Sequence, residues 1–493
     1  MGSNELNDVR AAGGAELAEA LVQRLPLQLQ AMKQAQERAG VPDAGERRDR
    51  LSRLLQLLRE QADEFCAALD ADYGGGRPRE TSLMSDVMAT FSSVKYARGQ
   101  LGKWMKPQRR QGVLPFNLFG ARVEVHAQPK GVIGILGTWN VPLFTTLTPL
   151  AFVLAAGNRA LIKPSEFVPR TSALLQEAIA RRFAEDEVAV CTGDARLAAA
   201  FSAQPFDHLV FTGSTATGRR VMQAAAANLV PVTLELGGKS PVVIGRSADL
   251  QLAAERIVLG KLLNGGQVCV SPDIVHVAAE QLEAFIVACR AAWQRYCPPG
   301  SEASLSALID QRQRSRLQGS LDELSALGVR VENCASSPAV GLDAGERRWP
   351  LRLVIAPPAH SRLAQEEIFG PILQLESYQQ FDEVIAHINA GSSPLALYYF
   401  GRDQAEEQRL LSHTRSGGVA INEVLLQVAA VDAPFGGIGG SGIGRYHGRE
   451  GFDEFSHART VYRSGWWDPR AKLGLLPPHP PALYEQLKKT MRL

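Results

Sequence analysis

Hydrophobic residues recur at spacings of three and four positions over the first hundred residues of the chain. Leu51, Leu54, Leu55 and Leu58 show this spacing. It places apolar side chains on one face of a helix. The segment from about Ala15 to Lys106 is therefore predicted to be mainly helical and to cover one face of a sheet.

A different pattern begins near residue 131, where short β-branched runs alternate with helical segments. Strands are predicted at 132–136 and 160–163, with a helix between them over 145–156. The alternation continues with helices over 172–183, 196–202 and 215–228 and with strands at 188–191 and 208–211. Such a pattern is typical of a mainly parallel, doubly wound sheet.

A second alternating region follows the segment P-V-T-L-E-L-G-G at 231–238. Its predicted elements are helices over 250–263, 281–296 and 311–327, and strands at 274–277, near 329 and near 353. The fold class is therefore α/β, with two α/β domains. Residues 121–128, which alternate like a hairpin strand, and the tail beyond Asp432 fit neither domain. Strands without a sheet of their own often pair with a partner subunit, so a homodimer is expected.

Composition excludes several functional classes. The chain has 53 basic and 51 acidic side chains, so no nucleic-acid or anionic-membrane partner is expected. Its six cysteines form no C-x-x-C pair, which predicts neither a metal site nor a disulfide framework and favours the cytoplasm. The N-terminus has no apolar signal-peptide region. The uncharged stretch 131–158 is interrupted by Asn140, Pro142 and Pro149, so a buried strand, loop and helix is expected instead of a membrane span.

Two glycine-rich segments carry candidate chemistry: T-L-E-L-G-G-K-S-P at 233–241 and N-G-G-Q-V-C at 264–269. They supply one carboxylate, Glu235, and one thiol, Cys269. A thiol needs a lowered pKa or a nearby base to act as a nucleophile. No histidine lies within four residues of Cys269, so Glu235, or a water that it deprotonates, is the better partner. The alternative is that Cys269 is a buried core thiol.

A nucleotide site is predicted where F-T-G-S-T-A-T-G, residues 211–218, joins a strand to a helix. Ser214 can cap that helix, whose first N–H groups can bind a pyrophosphate. Lys163 and Glu166 follow an adjacent strand and can hydrogen-bond an adenosine ribose, although such a pair is more often a solvated turn. The G-x-G-x-x-G at 437–442 is not preceded by a strand, so a mobile glycine-rich loop is expected there.

Two further segments complete a candidate reaction site. G-T-W-N-V-P at 137–142 places Asn140 in an apolar loop, where its amide can serve as an oxyanion donor or simply form a turn. Q-E-E-I-F-G-P at 365–371 adds Glu367 and Phe369, and taken alone it reads as a helix end with a proline stop.

In this order, the segments resemble those of the aldehyde dehydrogenase superfamily over nearly the whole chain. K-W-M-K-P at 103–107 and F-S-H-A-R-T-V at 455–461 are similar to the class 3 group and, within it, to bacterial coniferyl aldehyde dehydrogenases. The resemblance implies an aldehyde dehydrogenase-like fold with a Rossmann-type NAD-binding domain, a catalytic domain and a small β oligomerisation arm. The implied boundaries are 1–113 with 131–236 for the first domain, 237–431 for the second, and 114–130 with 432–493 for the arm and tail.

The resemblance also implies a role for each candidate residue. Cys269 would attack the aldehyde carbon, Asn140 and the Cys269 backbone N–H would hold the oxyanion, and Glu235 would activate the water that releases a carboxylic acid. The implied cofactor residues are Lys163 and Glu166 at the adenosine ribose, Ser214 with Gly213 and Gly218 at the pyrophosphate, Glu367 at the nicotinamide ribose, and Trp139 and Phe369 beside it. No metal is implied.

NAD is the expected cofactor because Glu166 would repel a 2′-phosphate, with NADP as an alternative. Aromatic or cinnamyl aldehydes, such as coniferyl aldehyde, and medium-to-long aliphatic aldehydes are the expected substrates. This chain departs from close relatives in G-G-Q-V-C, where A-G-Q-T-C is usual, and at Gln427, where histidine is common. The alternative functions are an acylating, coenzyme A-dependent enzyme, against which Glu235 argues, and an inactive nucleotide-binding scaffold.

Overall fold

A computed structural model describes residues 3–335 and 346–491, without the side chains of 3–18 and 302. Its helices α1–α18 are, in chain order, Ser3–Ala39, Ala44–Glu60, Ala62–Asp72, Arg79–Ser82, Ala89–Trp104, Pro142–Ala155, Pro169–Ala180, Ala195–Ser202, Thr215–Ala226, Leu250–Leu262, Leu282–Tyr296, Gln311–Ala326, Arg362–Gln365, Phe381–Ala390, Gln404–His413, Leu426–Ala429, Gly448–Glu454 and Leu483–Thr490.

The strands β1–β16 are, in chain order, Gln108–Arg110, Arg122–Pro129, Val132–Leu136, Arg159–Lys163, Val188–Val190, His208–Gly213, Val232–Leu236, Pro241–Ile244, Ile274–Ala278, Val331–Asn333, Arg352–Ile355, Ile372–Tyr378, Ala396–Phe400, Gly418–Ile421, Gly442–Ile443 and Ser456–Arg463. They form three sheets. The strand orders are β15-β7-β6-β3-β4-β5, β10-β11-β12-β9-β8-β13-β14 and β1-β2-β16.

The first sheet is parallel except for β15, which is antiparallel to β7. Its strand order reverses between β3 and β6, which lie side by side. Ligands of open α/β sheets bind at such a reversal, outside the carboxyl ends of the strands. The candidate segments 137–142, 211–218 and 233–241 all meet this edge, because they follow or include the ends of β3, β6 and β7.

Buried helices lie over the first sheet in layers: α6 and α1 contact β3 and β4, and α2 packs on α6. Leu51, Leu54 and Leu58 on α2 are fully buried. Every residue of α6 is buried, which explains why the stretch 131–158 has no charge. Within the described residues, no helix combines the length and apolar character that a membrane span needs. The same residues contain no group of three histidine, cysteine, aspartate or glutamate side chains that could hold a metal ion.

The second sheet is also mainly parallel, and only β10 is antiparallel to its neighbour. The predicted alternation of residues 250–355 is therefore confirmed. Strand β8 begins at Pro241, five residues after β7 ends at Leu236, so the G-G-K-S turn connects one sheet directly to the other.

The third sheet corrects the sequence analysis. Residues 121–128 do not lack a partner in this chain, since β2 pairs with β16 over its whole length and with β1 on its other side. Two short strands also belong to a different sheet from the one that the predicted domain boundaries imply. Strand β1 belongs to the third sheet and not to the first, and β15 belongs to the first sheet and not to the tail. The β15–β7 pairing joins parts of the chain that are far apart, since Gly442 lies opposite Glu235.

Candidate active site

The carboxyl edge of the first sheet opens into a cavity of about 300 Å³. Eight of the eleven predicted site residues line it: Trp139, Asn140, Gly213, Ser214, Glu235, Cys269, Glu367 and Phe369. Lys163, Glu166 and Gly218 lie outside this lining. The cavity therefore brings the predicted nucleophile, carboxyl group and amide together, although they are far apart in the chain.

The segment before Cys269 needs its two glycines. Asn264, Gly265 and Gly266 all have left-handed backbone angles, with φ of 50°, 61° and 72°. A Cβ on Gly266 would lie 2.5 Å from the carbonyl oxygen of Gly370, and one on Gly265 would lie 2.9 Å from that of Ser306. Only glycine avoids both the strain and the contacts. The following turn, closed by a 2.9 Å hydrogen bond from the Ser271 N–H to the Val268 carbonyl, presents Cys269.

The Cys269 thiol is protonated in this arrangement at neutral pH. Burial, followed by the nearby carboxyl groups of Glu367 and Glu235, raises its pKa from 9.0 to about 12. Backbone hydrogen bonds from Cys269 and Val270 oppose this shift in part. The thiol therefore needs a further positive charge or a proton acceptor before it becomes an effective nucleophile.

Glu235 lies on β7 with a side chain that is only 2% exposed. Neither of its carboxyl oxygens has a hydrogen-bond partner within residues 3–335 and 346–491. Burial, and then repulsion from Glu454, raises the pKa of this carboxyl well above its ordinary value of 4.5. An unpaired buried carboxyl facing a cavity is suited to bind a water or a ligand and to take up a proton.

Glu367 is the second carboxyl group, after Glu235, that lines the cavity. Burial, and then Asp273, raises its pKa to about 8, while a backbone hydrogen bond from Gly238 and the charges of Arg316 and Lys239 oppose the shift. A Cβ on Gly237 would collide with the Glu367 carboxylate, so this glycine lets the strand end approach the carboxyl group.

Asn140 is 3% exposed and faces the nucleophile segment. Its side-chain Nδ2 donates to the backbone carbonyl of Gln267 at 3.0 Å. An amide nitrogen has two hydrogens, and this bond uses one of them. The second is available to an oxygen in the cavity, as an oxyanion donor requires.

The residues predicted for the nucleotide divide into two groups. Ser214 begins α9 and its Oγ accepts from the Thr217 N–H at 3.3 Å, so this helix N-terminus and the cavity adjoin. Lys163 and Glu166 form an ion pair of 2.6 Å after β4. Gly218 contributes to packing, since a Cβ there would lie 2.6 Å from the Leu236 side chain. The N-terminus of α9, where free N–H groups can bind a phosphate, borders the cavity at Ser214.

Two aromatic rings border the cavity beside Glu367. Trp139 and Phe369 contact each other edge to face with 5.4 Å between ring centroids. Phe369 has a φ of 48°, an unusual value for a bulky residue. The two rings give the reaction end of the cavity an apolar wall.

Sequence reasoning missed Arg316, which also lines the cavity. It donates to the Ile368 carbonyl at 2.6 Å and to Gln313 at 2.9 Å, and so holds the segment that carries Glu367 and Phe369. Burial lowers the pKa of this guanidinium. The sequence gives no signal for it, since Arg312, Arg314 and Arg316 alternate along one polar helix.

The G-x-G-x-x-G at 437–442 packs beside Glu235. Gly442 pairs with Glu235 across β15 and β7, and the Leu236 N–H donates to the Ser441 carbonyl at 3.0 Å. A Cβ on Gly437 would collide with the Ser441 backbone. The segment therefore packs against the end of β7, while the mobility expected of this glycine-rich loop stays a prediction.

The chain is similar to known proteins over most of its length. A model of the aldehyde dehydrogenase family matches residues 9–461. A Caulobacter vibrioides protein named "Probable coniferyl aldehyde dehydrogenase" is 46% identical over 92% of this chain and 93% of its own length. The coniferyl aldehyde dehydrogenase of a Pseudomonas species is 42% identical over 88% of this chain and 89% of its own length. The solved substrate-bound state of Staphylococcus aureus AldH superposes with a TM-score of 0.87 at 30% identity, covering 95% of this chain and 99% of that one.

The raised pKa of Cys269 gives a prediction for the cofactor-free enzyme. Since the thiol is protonated up to a pKa of about 12, its alkylation by iodoacetamide should accelerate about tenfold per pH unit between pH 7 and 10. Mass spectrometry of the peptide that contains Cys269 measures this rate, with Cys269→Ala as the blank. A rate that levels off below pH 9 would contradict the assignment.

Proposed function

The chain belongs to the aldehyde dehydrogenase family, whose members oxidise aldehydes to carboxylic acids, and we propose that Cys269, Glu235 and Asn140 are its catalytic residues. The cavity shared by the thiol, the unpaired buried carboxyl and the amide is the observation that carries the proposal. Each residue has the chemistry that one step of the oxidation needs.

The first step is attack of the Cys269 thiolate on the aldehyde carbon, after the thiol has passed its proton to a water in the cavity. The new carbon–sulfur bond places a negative charge on the former carbonyl oxygen. Asn140 Nδ2 and the Cys269 backbone N–H donate to that oxygen and stabilise the charge. Bound NAD or NADP supplies the hydride acceptor for the oxidation. Loss of the hydride leaves a thioester on Cys269.

Glu235 acts in the second half of the reaction. Its carboxylate accepts a proton from a water, which attacks the thioester carbon. The carbon–sulfur bond then breaks, the carboxylic acid leaves, and Cys269 recovers its thiol. The unpaired oxygens of Glu235 support this role, because they can hold the water. They also favour hydrolysis over acyl transfer to coenzyme A, since an acylating enzyme has no use for a water-activating carboxyl here.

The cavity lining supports two of the cofactor assignments. Ser214 and the start of α9 would hold the pyrophosphate, and Glu367 would hold the nicotinamide ribose. Lys163 and Glu166 would hold the adenosine ribose. Glu166 favours NAD over NADP, because a second negative charge at the 2′-position would face its carboxylate.

We assign cinnamyl aldehydes, such as coniferyl aldehyde, as the substrate class. The names of the relatives at 42–46% identity support this assignment. Gln427 is linked to the segment that carries Cys269 through two hydrogen bonds. Its side chain donates to the Tyr398 hydroxyl at 3.1 Å, and that hydroxyl donates to the carbonyl of Val270, the neighbour of Cys269, at 2.5 Å. The expected homodimer and cytoplasmic location belong to the same proposal.

The first prediction of the proposed function concerns the nucleophile. Cys269→Ala should abolish NADH formation while leaving NAD binding within about twofold, because the thiol forms the bond to the substrate. Cys297→Ala is the matched control, since this thiol is also half-buried but lies at the end of α11, and it should remain active. Retained activity in Cys269→Ala would refute the mechanism.

The second prediction separates the two halves of the reaction. Glu235→Gln should still release one equivalent of NADH rapidly and then stall, because the thioester forms but no carboxylate activates water. Stopped-flow absorbance measures the burst and the steady state. A burst that is lost as completely as the steady state would show that Glu235 acts before hydride transfer.

The third prediction tests the substrate class. With NAD, kcat/KM should be at least about tenfold higher for coniferyl aldehyde than for hexanal, and it should fall when NADP replaces NAD. A panel of aromatic, cinnamyl and aliphatic aldehydes measures this preference. Equal values for coniferyl and aliphatic aldehydes would remove the substrate assignment and leave the mechanism intact.

A further inference from the structure

A fully buried ion pair lies behind the oxyanion residue. Arg77 and Asp86 are both 0% exposed, and Arg77 Nη2 donates to Asp86 Oδ2 at 2.5 Å. Two buried charges of this kind are costly to desolvate and need excellent geometry and further hydrogen bonds to be tolerated. The further partners of this pair show what it holds in place.

Arg77 reaches from Asp86 to the backbone of Asn140. Its Nη1 donates to the Asn140 carbonyl at 2.7 Å. The planar guanidinium therefore bridges a carboxylate and a carbonyl in one fixed orientation. Asp86 acts on the same segment, since its Oδ1 accepts from the Leu143 N–H at 3.1 Å in the first turn of α6. Both members of the pair thus fix the loop that carries Asn140.

A second set of bonds ties this loop to the nucleophile segment. Asn264 Nδ2 donates to the same Asn140 carbonyl at 3.0 Å, and Asn140 Nδ2 donates to the Gln267 carbonyl at 3.0 Å. Gln267 is itself held, because its side chain bonds the backbone of Ala307 and Ile309 at 3.0 Å. Asn140 is therefore clamped between the ion pair and the segment that presents Cys269.

We infer that Arg77 and Asp86 are positioning residues, which hold the Asn140 amide against the oxygen of the substrate. The inference rests on the proposed role of Asn140 as oxyanion donor. An oxyanion donor works only when it is preorganised at the place where charge develops, so a loosened loop loses most of its effect. Neither residue lines the cavity, so any effect on the reaction must pass through the loop that carries Asn140.

The test is a double-mutant cycle between Arg77→Lys and Asn140→Ala. Lysine keeps the positive charge beside Asp86 but has no fork to reach the Asn140 carbonyl as well. In the wild-type background, Arg77→Lys should slow the first turnover of NADH formation by about tenfold to a hundredfold, the range for a lost oxyanion donor. In the Asn140→Ala background, it should slow the reaction by less than about twofold.

A matched control uses a second buried arginine. Arg47 is 1% exposed and donates to the carbonyls of Pro42 and Ala155, both at 3.0 Å, without contacting the site. Arg47→Lys should leave the first-turnover rate unchanged, whatever its effect on melting temperature. NADH binding, followed by fluorescence, should be the same in all variants, which separates loosened positioning from general unfolding.

Asp86→Asn gives an independent route if Arg77→Lys does not fold, since it keeps the shape of the side chain and removes the charge that orients Arg77. It should show the same dependence on Asn140. Equal slowing in both Asn140 backgrounds, or no slowing at all, would overturn the inference and leave the proposed function standing. An unchanged rate in Asn140→Ala itself would instead refute the role of Asn140, and with it the role of the ion pair.

Discussion

Three acidic groups line one cavity, and the rest of the site depends on how their charges are kept apart. Burial raises the pKa values of Cys269, Glu235 and Glu367, and the two carboxyl groups raise that of the thiol further. Like charges in a low-dielectric site disfavour one another's ionised forms. Burial and mutual repulsion therefore shift all three groups toward their protonated forms, and one group can ionise more easily when another has lost its charge.

In the proposed mechanism, this constraint gives the reaction an order. When Cys269 forms its bond to carbon, the thiolate charge leaves the sulfur, and in the thioester the sulfur is neutral. Glu235 then no longer faces a negative sulfur, so its carboxylate form becomes easier to reach during hydrolysis than before attack. The same repulsion that hinders both groups from ionising together thus separates the roles of nucleophile and base in time. In the same mechanism Asn140 donates to the substrate oxygen that is charged between attack and hydride loss, which gives a reason for the buried groups that fix its position.

The parts of this site that could be predicted are those with local causes. Gly265 and Gly266 indicate a backbone that only glycine adopts easily, and Ser214 indicates the start of a helix. The β-branched runs predict β3, β4 and β6. The missing parts depend on contacts between distant segments. Arg77 meets Asn140 across 63 positions, and β2 meets β16 across more than 300. No spacing rule links such residues, and an arginine that will be buried looks in the sequence like one on a solvated turn.

The C-terminal segment shows how far such contacts reach. Sequence patterns place residues 437–454 outside both domains, yet this segment controls the surroundings of Glu235 from two sides. Gly442 pairs with the backbone of Glu235, so the strand edge beside the base is closed against other partners. Glu454 accepts a hydrogen bond from Thr233 at 2.6 Å, on the same face of β7 as Glu235, and its charge raises the pKa of that carboxyl. Thr233 and Glu235 are two residues apart on β7, so their side chains point the same way. Because Thr233 holds the Glu454 carboxyl group, the strand sets where that group lies relative to Glu235. The raised pKa of Glu235 therefore depends on the fold, at the place where the C-terminal segment joins the first sheet.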